Sequence, residues 1–180
     1  MHRARARQGF NLVELMIAVS IIGILCAIAI PAFGVAVARS KTGESSNTLG
    51  AMFKAAATYY AGERGDQGMT GSVAVYCTVD DGGPVPVMPG SQKQVVPVDT
   101  SMRAIGMTIG DPVYYSYGLI TASGTGSCGN SPNNSNLYTF YANGDLDGDG
   151  TFSTFELAVG TDASNQVYHA RAITVFKETE

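Results

Sequence analysis

Histidine is almost missing from this sequence, and charge is scarce. Of two histidines, His2 falls among the opening nine residues and only His169 lies beyond them. Most His-based catalysis and most His-rich metal sites are thereby implausible. Charged residues make up 14% of the chain, well below the roughly 25% of an ordinary soluble domain. Acids outnumber bases 15 to 11, a formal net charge of −4, so no direct nucleic-acid partner is expected. No G-x-S-x-G, no H-E-x-x-H and no phosphate-cradling glycine loop occurs, and there is no internal repeat. The residues speak against an enzyme. At 180 residues the chain is one domain by length, or at most a small pair. Its 45% hydrophobic content argues against global disorder.

The little charge present is unevenly placed. Arg3, Arg5 and Arg7 precede Gly9 with no acid among them, and no residue from Leu15 to Ala38 is charged. As a helix that run would span ~36 Å, enough for a ~30 Å hydrocarbon core. The basic flank in front places the N-terminus in the cytoplasm and the larger polar mass outside. A secretory signal peptide would explain Ala36-Val37-Ala38 as a cleavage site, but the apolar run is too long and Glu14 stands at its start. A lipoprotein anchor needs a small residue before the cysteine, and Cys26 follows Leu25. A plain signal anchor fits the hydropathy and leaves Glu14 and the Gly9-Phe10 junction unexplained.

The segment Gly9-Phe10-Asn11-Leu12-Val13-Glu14-Leu15, with Pro31 further along the run, resembles the N-terminal signature of the type IV pilin and pseudopilin family. The short leader and the phenylalanine resemble its type IVa branch, although Asn11 replaces the usual threonine. The resemblance implies a cleaved leader over residues 1–9, cut after Gly9 by a prepilin peptidase, and N-methylation of the new terminal residue, Phe10. It also implies assembly roles for Phe10, Glu14 and Pro31. The physics agrees: a carboxylate in hydrocarbon costs ~2.5–3.5 kcal/mol, so Glu14 should be paired. Cleavage would create an ammonium at Phe10, and Glu14 of one subunit could neutralise that of the next. The plainer alternative is that Glu14 complements the positive end of its own helix.

Beyond Arg39, the residues Leu49, Met52, Phe53, Ala56, Ala57 and Tyr60 follow helical spacing. The spacing predicts a helix from about Asn11 to Ala61, ~75 Å long if unbroken, with a break near Gly43 as the alternative. Residues 63–112 read as a long loop with short strands, including Ser72 to Val79. Four strand-like runs follow: Val113 to Thr121, Leu137 to Ala142, Ser153 to Val159 and Val167 to Phe176. The expected fold is α+β. A long N-terminal helix over residues 10–62 packs on an antiparallel sheet in a globular domain over residues 63–180. The tyrosines of the first two runs read as sheet faces, and His169 as an ordinary surface residue.

Of three cysteines, Cys26 lies in the apolar run and reads as a filler, while Cys77 and Cys128 lie in the exported part. Oxidation is permitted there, so these two are expected to form a disulfide. A second motif runs from Asp145 to Glu156. Asp145, Asp147, Asp149, Thr151, Ser153 and Glu156 occupy positions 1, 3, 5, 7, 9 and 12 of a calcium loop, with Gly150 at position 6. A hard cation wants six to eight oxygens, and alternate residues of a tight loop can turn theirs inward. The preceding run looks like a strand, so Ca2+ in a hairpin loop is expected rather than an EF-hand. A metal-free Asp/Gly turn is the alternative.

The resemblance implies a non-enzymatic subunit of a helical homo-oligomeric filament, waiting in the inner membrane and packed into an extracellular pilus by an ATP-driven assembly machinery. Adhesion, twitching motility or DNA uptake would be its uses. The alternatives are a pseudopilin of a type II secretion system and a minor pilin. A membrane-anchored enzyme or calcium-dependent sugar binder would have no use for the Gly9-Phe10 junction.

Overall fold

The computed structural model describes residues 11–62, 64–65, 73–130 and 136–178. Gly9, Phe10 and the expected strand start at Ser72 lie outside the described residues. One helix, α1, runs from Leu12 to Ala61. It passes through Gly23, Gly34, Gly43 and Gly50 without a break. Each glycine costs a helix interior about 0.5–1 kcal/mol relative to alanine. Around Gly43 that cost is met by packing, because Thr42, Ser45 and Leu49 are buried. The Thr42 and Ser45 hydroxyls donate back to the carbonyls of Arg39 and Thr42, each at 2.7 Å.

Two compact units divide the chain between Val37 and Ala38. In the first, every described residue is exposed, and the helix is long and apolar enough to cross a membrane. The second unit, Ala38–Glu180, contains the rest of α1 and the sheet. Its elements are β1 (Arg64–Gly65), β2 (Val73–Ala74), β3 (Gly82–Val85), α2 (Thr100–Ala104), β4 (Ser116–Thr121), β5 (Tyr138–Gly144), β6 (Ser153–Thr161), β7 (Val167–His169) and β8 (Thr174–Phe176). Strands β1 and β2 form a small ribbon. The main antiparallel sheet has the order β3-β4-β5-β6-β7, with β8 also paired to β6. The α+β expectation holds.

Three expectations need correction. Of the strand expected from Ser72 to Val79, only Val73–Ala74 is strand among the described residues. The run Val167 to Phe176 is two short strands rather than one, so this edge of the sheet is split into three-residue pieces. Gly82–Val85, not singled out within the stretch read as a long loop with short strands, is an edge strand. Its proline is tolerated because an edge strand need not donate every ladder bond.

The core forms where α1 meets one face of the sheet. Leu49, Met52, Ala56 and Tyr60 pack with Tyr115, Tyr117, Leu119, Tyr138, Phe140 and Leu157. Strand β5 alternates buried and half-buried residues along its whole length, the period of a sheet with one covered face. On the other face the Tyr141 ring lies over Gly118, where a Cβ would overlap its phenol carbon and oxygen. The tyrosine stripes are therefore sheet faces. His169 is exposed and its ring stands edge-on to Phe53 of α1, centroids 4.5 Å apart.

One carboxylate ties helix to sheet. Glu44 Oε1 accepts hydrogen bonds from the Tyr114 amide at 2.9 Å and the Tyr117 hydroxyl at 3.2 Å. Burial pushes the Tyr117 phenol well above its ordinary pKa, so the hydroxyl stays a donor. Hydrogen bonds to a charged group contribute ~1.5–3 kcal/mol, and a buried donor left unsatisfied costs more than a bond never made. Glu44→Ala should therefore lower unfolding free energy by about 2–3 kcal/mol in a urea titration, with the far-UV spectrum unchanged. A loss under about 0.5 kcal/mol, the level of an ordinary surface substitution, would show that the tie contributes nothing.

Candidate functional site

Asn11 caps the head of α1. Its side-chain oxygen lies 3.4 Å from the Val13 amide as acceptor, and the Glu14 carboxylate accepts from the Asn11 amide at 3.2 Å. This is a reciprocal capping box, with Asn in place of Ser or Thr at the cap and Glu three residues on. By sequence Asn11 stands out as a departure from threonine, and the N-x-x-E spacing to Glu14 is the signal of its capping role. Glu14 is thus exposed and poised at the positive end of the helix. Pro31 lies inside the continuous helix, where it removes one backbone donor. Around both residues the first unit presents bare apolar surface, with Leu12 71%, Ile30 70% and Phe33 72% exposed.

In the second unit, Cys77 and Cys128 are joined, as expected. The bridge is flanked by backbone bonds from Thr78 to Ser127 at 2.7 Å and from Gly129 to Val75 at 2.9 Å. It therefore fastens the chain after β2 to the chain after β4. Cys26 is a free thiol in the first unit.

The acidic loop connects β5 and β6. Asp145, Asp147 and Asp149 each bring a carboxylate oxygen within 4.8 Å of the others. Asp145 is buried, and its two oxygens accept from the Gly148 amide at 2.8 Å and the Gly150 amide at 3.3 Å. Gly148 and Gly150 take φ of 80° and 84°, the left-handed turn that glycine supplies without strain. Asp149 accepts from the Thr151 amide at 2.6 Å, and that bond holds its carboxyl below the usual carboxylate range.

Ser153 and Glu156 are placed differently. Both belong to β6, where Ser153 pairs with Gly144 and Glu156 with Tyr141. The pleat turns them to opposite faces, with Ser153 buried and Glu156 half-buried. Glu156 is not in the group of converging carboxylates. The structure thus gathers three of the six expected ligand residues by their side chains, with Thr151 adjoining them in the turn.

Comparison with known proteins points to the helix head. Residues 4–30 match the family model described as the prokaryotic N-terminal methylation motif. Fimbrial protein EcpC of Eikenella corrodens is 47% identical over 57 residues, 32% of this chain and 37% of that protein. The type IV major pilin protein PilA of Myxococcus xanthus is 50% identical over 54 residues, 30% of this chain and 24% of its own length. The type IV major alpha-pilin of Moraxella bovis is 50% identical over 46 residues, 26% of this chain and 29% of that protein. The chain thus spans between about a quarter and two fifths of the length of these curated relatives. No solved structure matches it.

The disulfide closes a loop with a sequence separation of 51, for which the chain-entropy model gives about 4 kcal/mol. Replacing both Cys77 and Cys128 by serine should lower stability by roughly that amount in a denaturant titration. An unchanged midpoint would show that the loop is held without the bridge.

Proposed function

We propose that this chain is a structural subunit of a type IV pilus, assembled through its N-terminal helix. The observation that carries the reading is the sequence Gly9-Phe10 followed by Glu14 at the head of a helix uncharged from Leu15 to Ala38, in the stretch that matches the methylation motif. Exposed aliphatic surface of this extent is stable in a bilayer or against other apolar surface, not in water. A helix that serves first as a membrane anchor and then as a filament core satisfies both settings without changing its residues.

In this reading a prepilin peptidase cuts after Gly9 and Phe10 becomes the N-methylated terminus. The subunit waits in the inner membrane, and an assembly machinery lifts it into an extracellular filament. Glu14 then neutralises the Phe10 ammonium of the next subunit, so that neither charge stays alone among apolar helices. In the single chain the same carboxylate closes the capping box. Pro31 weakens the helix locally and permits it to unwind as subunits pack. Adhesion, motility or DNA uptake are the uses to which such a filament is suited.

Glu14→Leu separates this from a plain membrane anchor. Membrane insertion of the variant should be as good as or better than that of the parent chain, since a costly carboxylate is removed. Fibres recovered by shearing should fall at least tenfold, on the order of 1.4 kcal/mol of lost pairing per contact. Equal fibre yield from the variant would contradict the pairing role.

We also propose that Asp145, Asp147 and Asp149 hold a calcium ion, with Thr151 supplying its carbonyl. A carboxylate has about four lone-pair sites, so oxygens that accept one amide keep capacity for a cation. Three acids converging in one turn repel each other, and a divalent cation offsets that repulsion. With fewer protein ligands than the full spacing offers, water completes the shell and affinity belongs to the weak end of calcium modules. Calcium at about 100 times Kd should raise unfolding free energy by about 2.7 kcal/mol, and Asp147→Asn should abolish the gain. A melting curve indifferent to calcium up to about 100 mM, some 100 times the weakest Kd of such modules, would remove the ion from the account.

A further inference from the structure

A cavity of about 400 Å3 in the second unit shares no lining residue with the acidic loop; Ala57, Tyr60, Tyr76, Ser164, Asn165 and Gln166 are among its walls. We propose that it is a binding site for a neutral pyranose sugar, with Tyr76 as the stacking platform and Ser164 and Gln166 as the hydroxyl-reading groups. The proposal does not depend on filament assembly, because every residue it uses belongs to one folded unit.

Two residues of left-handed backbone meet in this cavity. Tyr76 has φ 54° and Asn165 has φ 60°; asparagine visits this region routinely, but an aromatic residue there is unusual. Strain of this kind persists where surrounding structure over-determines it, and it collects at ligand sites. Both residues are held from several sides. The Tyr76 carbonyl accepts from the Asn130 amide at 3.2 Å and from Asn130 Nδ2 at 2.8 Å. The next residue, Cys77, is in the disulfide. Asn165 Oδ1 accepts from the Tyr60 hydroxyl at 2.9 Å, and its Nδ2 donates to the Asn130 carbonyl at 3.1 Å. Asn130 thereby joins the two left-handed residues.

The result is a ring fixed in place and open to solvent. Tyr76 is 37% exposed, although its ring packs on the fully buried Tyr60 at a centroid distance of 5.6 Å. The side chains of Ser164 and Gln166 are exposed and have no hydrogen-bond partner among the described residues. Their backbone amides, in contrast, are both held by Asp162 Oδ1 at 2.8 and 2.9 Å. The turn is thus rigid while its polar tips are free.

The lining chemistry selects the ligand class. Among the described residues no charged side chain lines the cavity, so an ion would gain nothing to repay its desolvation. An aromatic face beside a hydroxyl and a primary amide suits a molecule with one apolar C–H face and a rim of hydroxyls. A pyranose has both. A preorganised site reduces the ordering cost that makes weak neutral ligands hard to bind.

The test uses the full chain in phosphocholine micelles, avoiding glucoside detergents, with methyl galactoside, methyl mannoside and methyl N-acetylglucosaminide as probes. Amide chemical shifts are followed as each is added to about 10 mM, well into the range of weak binding. The expected result is saturable binding of at least one, with shifts at Tyr76 and residues 164–166. Tyr76→Gly should keep the fold, since glycine accepts positive φ freely. It should weaken binding about tenfold through loss of the ring, while Tyr76→Phe keeps it. If the glycine variant does not fold, the Ser164→Ala, Gln166→Ala double variant takes its place with the same expected loss. Absence of saturable binding to all three sugars, shifts confined to other residues, or full binding by the folded ring-deleted or double variant would each overturn the proposal.

Discussion

An uncharged helical surface more than twenty residues long has to be kept from water, and a single carboxylate at its head has to be kept from being alone. These two demands govern how the rest of the chain can be used. Residues 11–37 are all exposed. A bilayer can cover them, and so can copies of the same helix. Glu14 costs little at a membrane interface, where it closes the cap with Asn11. In an apolar bundle it requires a cation, and in the proposed reading cleavage after Gly9 would create an amine four residues before it. On that reading one residue would serve the helix end in one setting and the contact between subunits in the other.

The second unit solves a separate problem, keeping a sheet in one register against half of a helix. Its hydrophobic face is conventional, with Leu49, Met52, Ala56 and Tyr60 meeting the aromatic inner face of β4 and β5. Apolar burial is non-directional, so orientation comes from polar ties. Glu44 reaches from α1 to the Tyr114 amide and the Tyr117 hydroxyl. Asn165 joins the Tyr60 hydroxyl to the Asn130 carbonyl. The Cys77–Cys128 bridge fastens a long connection that has little regular structure of its own. The sheet edges are short and interrupted, by Pro84 on β3 and by the gap between β7 and β8, which limits pairing of strands with other chains.

Local signals in the sequence carried the helix, the strand alternation of β4 to β6 and the disulfide. Each depends on neighbours along the chain or, for the cysteines, on compartment. Tertiary context decided the remainder. Gly82–Val85 looks like a turn by composition and is a strand because it lies at an edge. The five-residue α2 is too short for periodicity, and only Asp99, which caps it by accepting from the Met102 amide, announces it. The acidic loop was legible as a spacing, but the spacing assumed that Ser153 and Glu156 continue the turn. They lie in β6, where alternation rather than loop closure sets their direction. The cavity beside Tyr76 was not legible at all, because residues 57–61, 76 and 164–167 meet only after folding.

The intact mass and N-terminal sequence of the protein in fibres sheared from the cell surface would test the central claim most directly. The account requires a chain that starts at Phe10 and carries one additional methyl group, recovered in abundance from those fibres. A processed chain confined to the membrane would place it as a minor or short-filament subunit. A mature chain beginning at Met1 or at Arg39 would contradict the account, because the Phe10 amine that Glu14 is held to neutralise would then not exist.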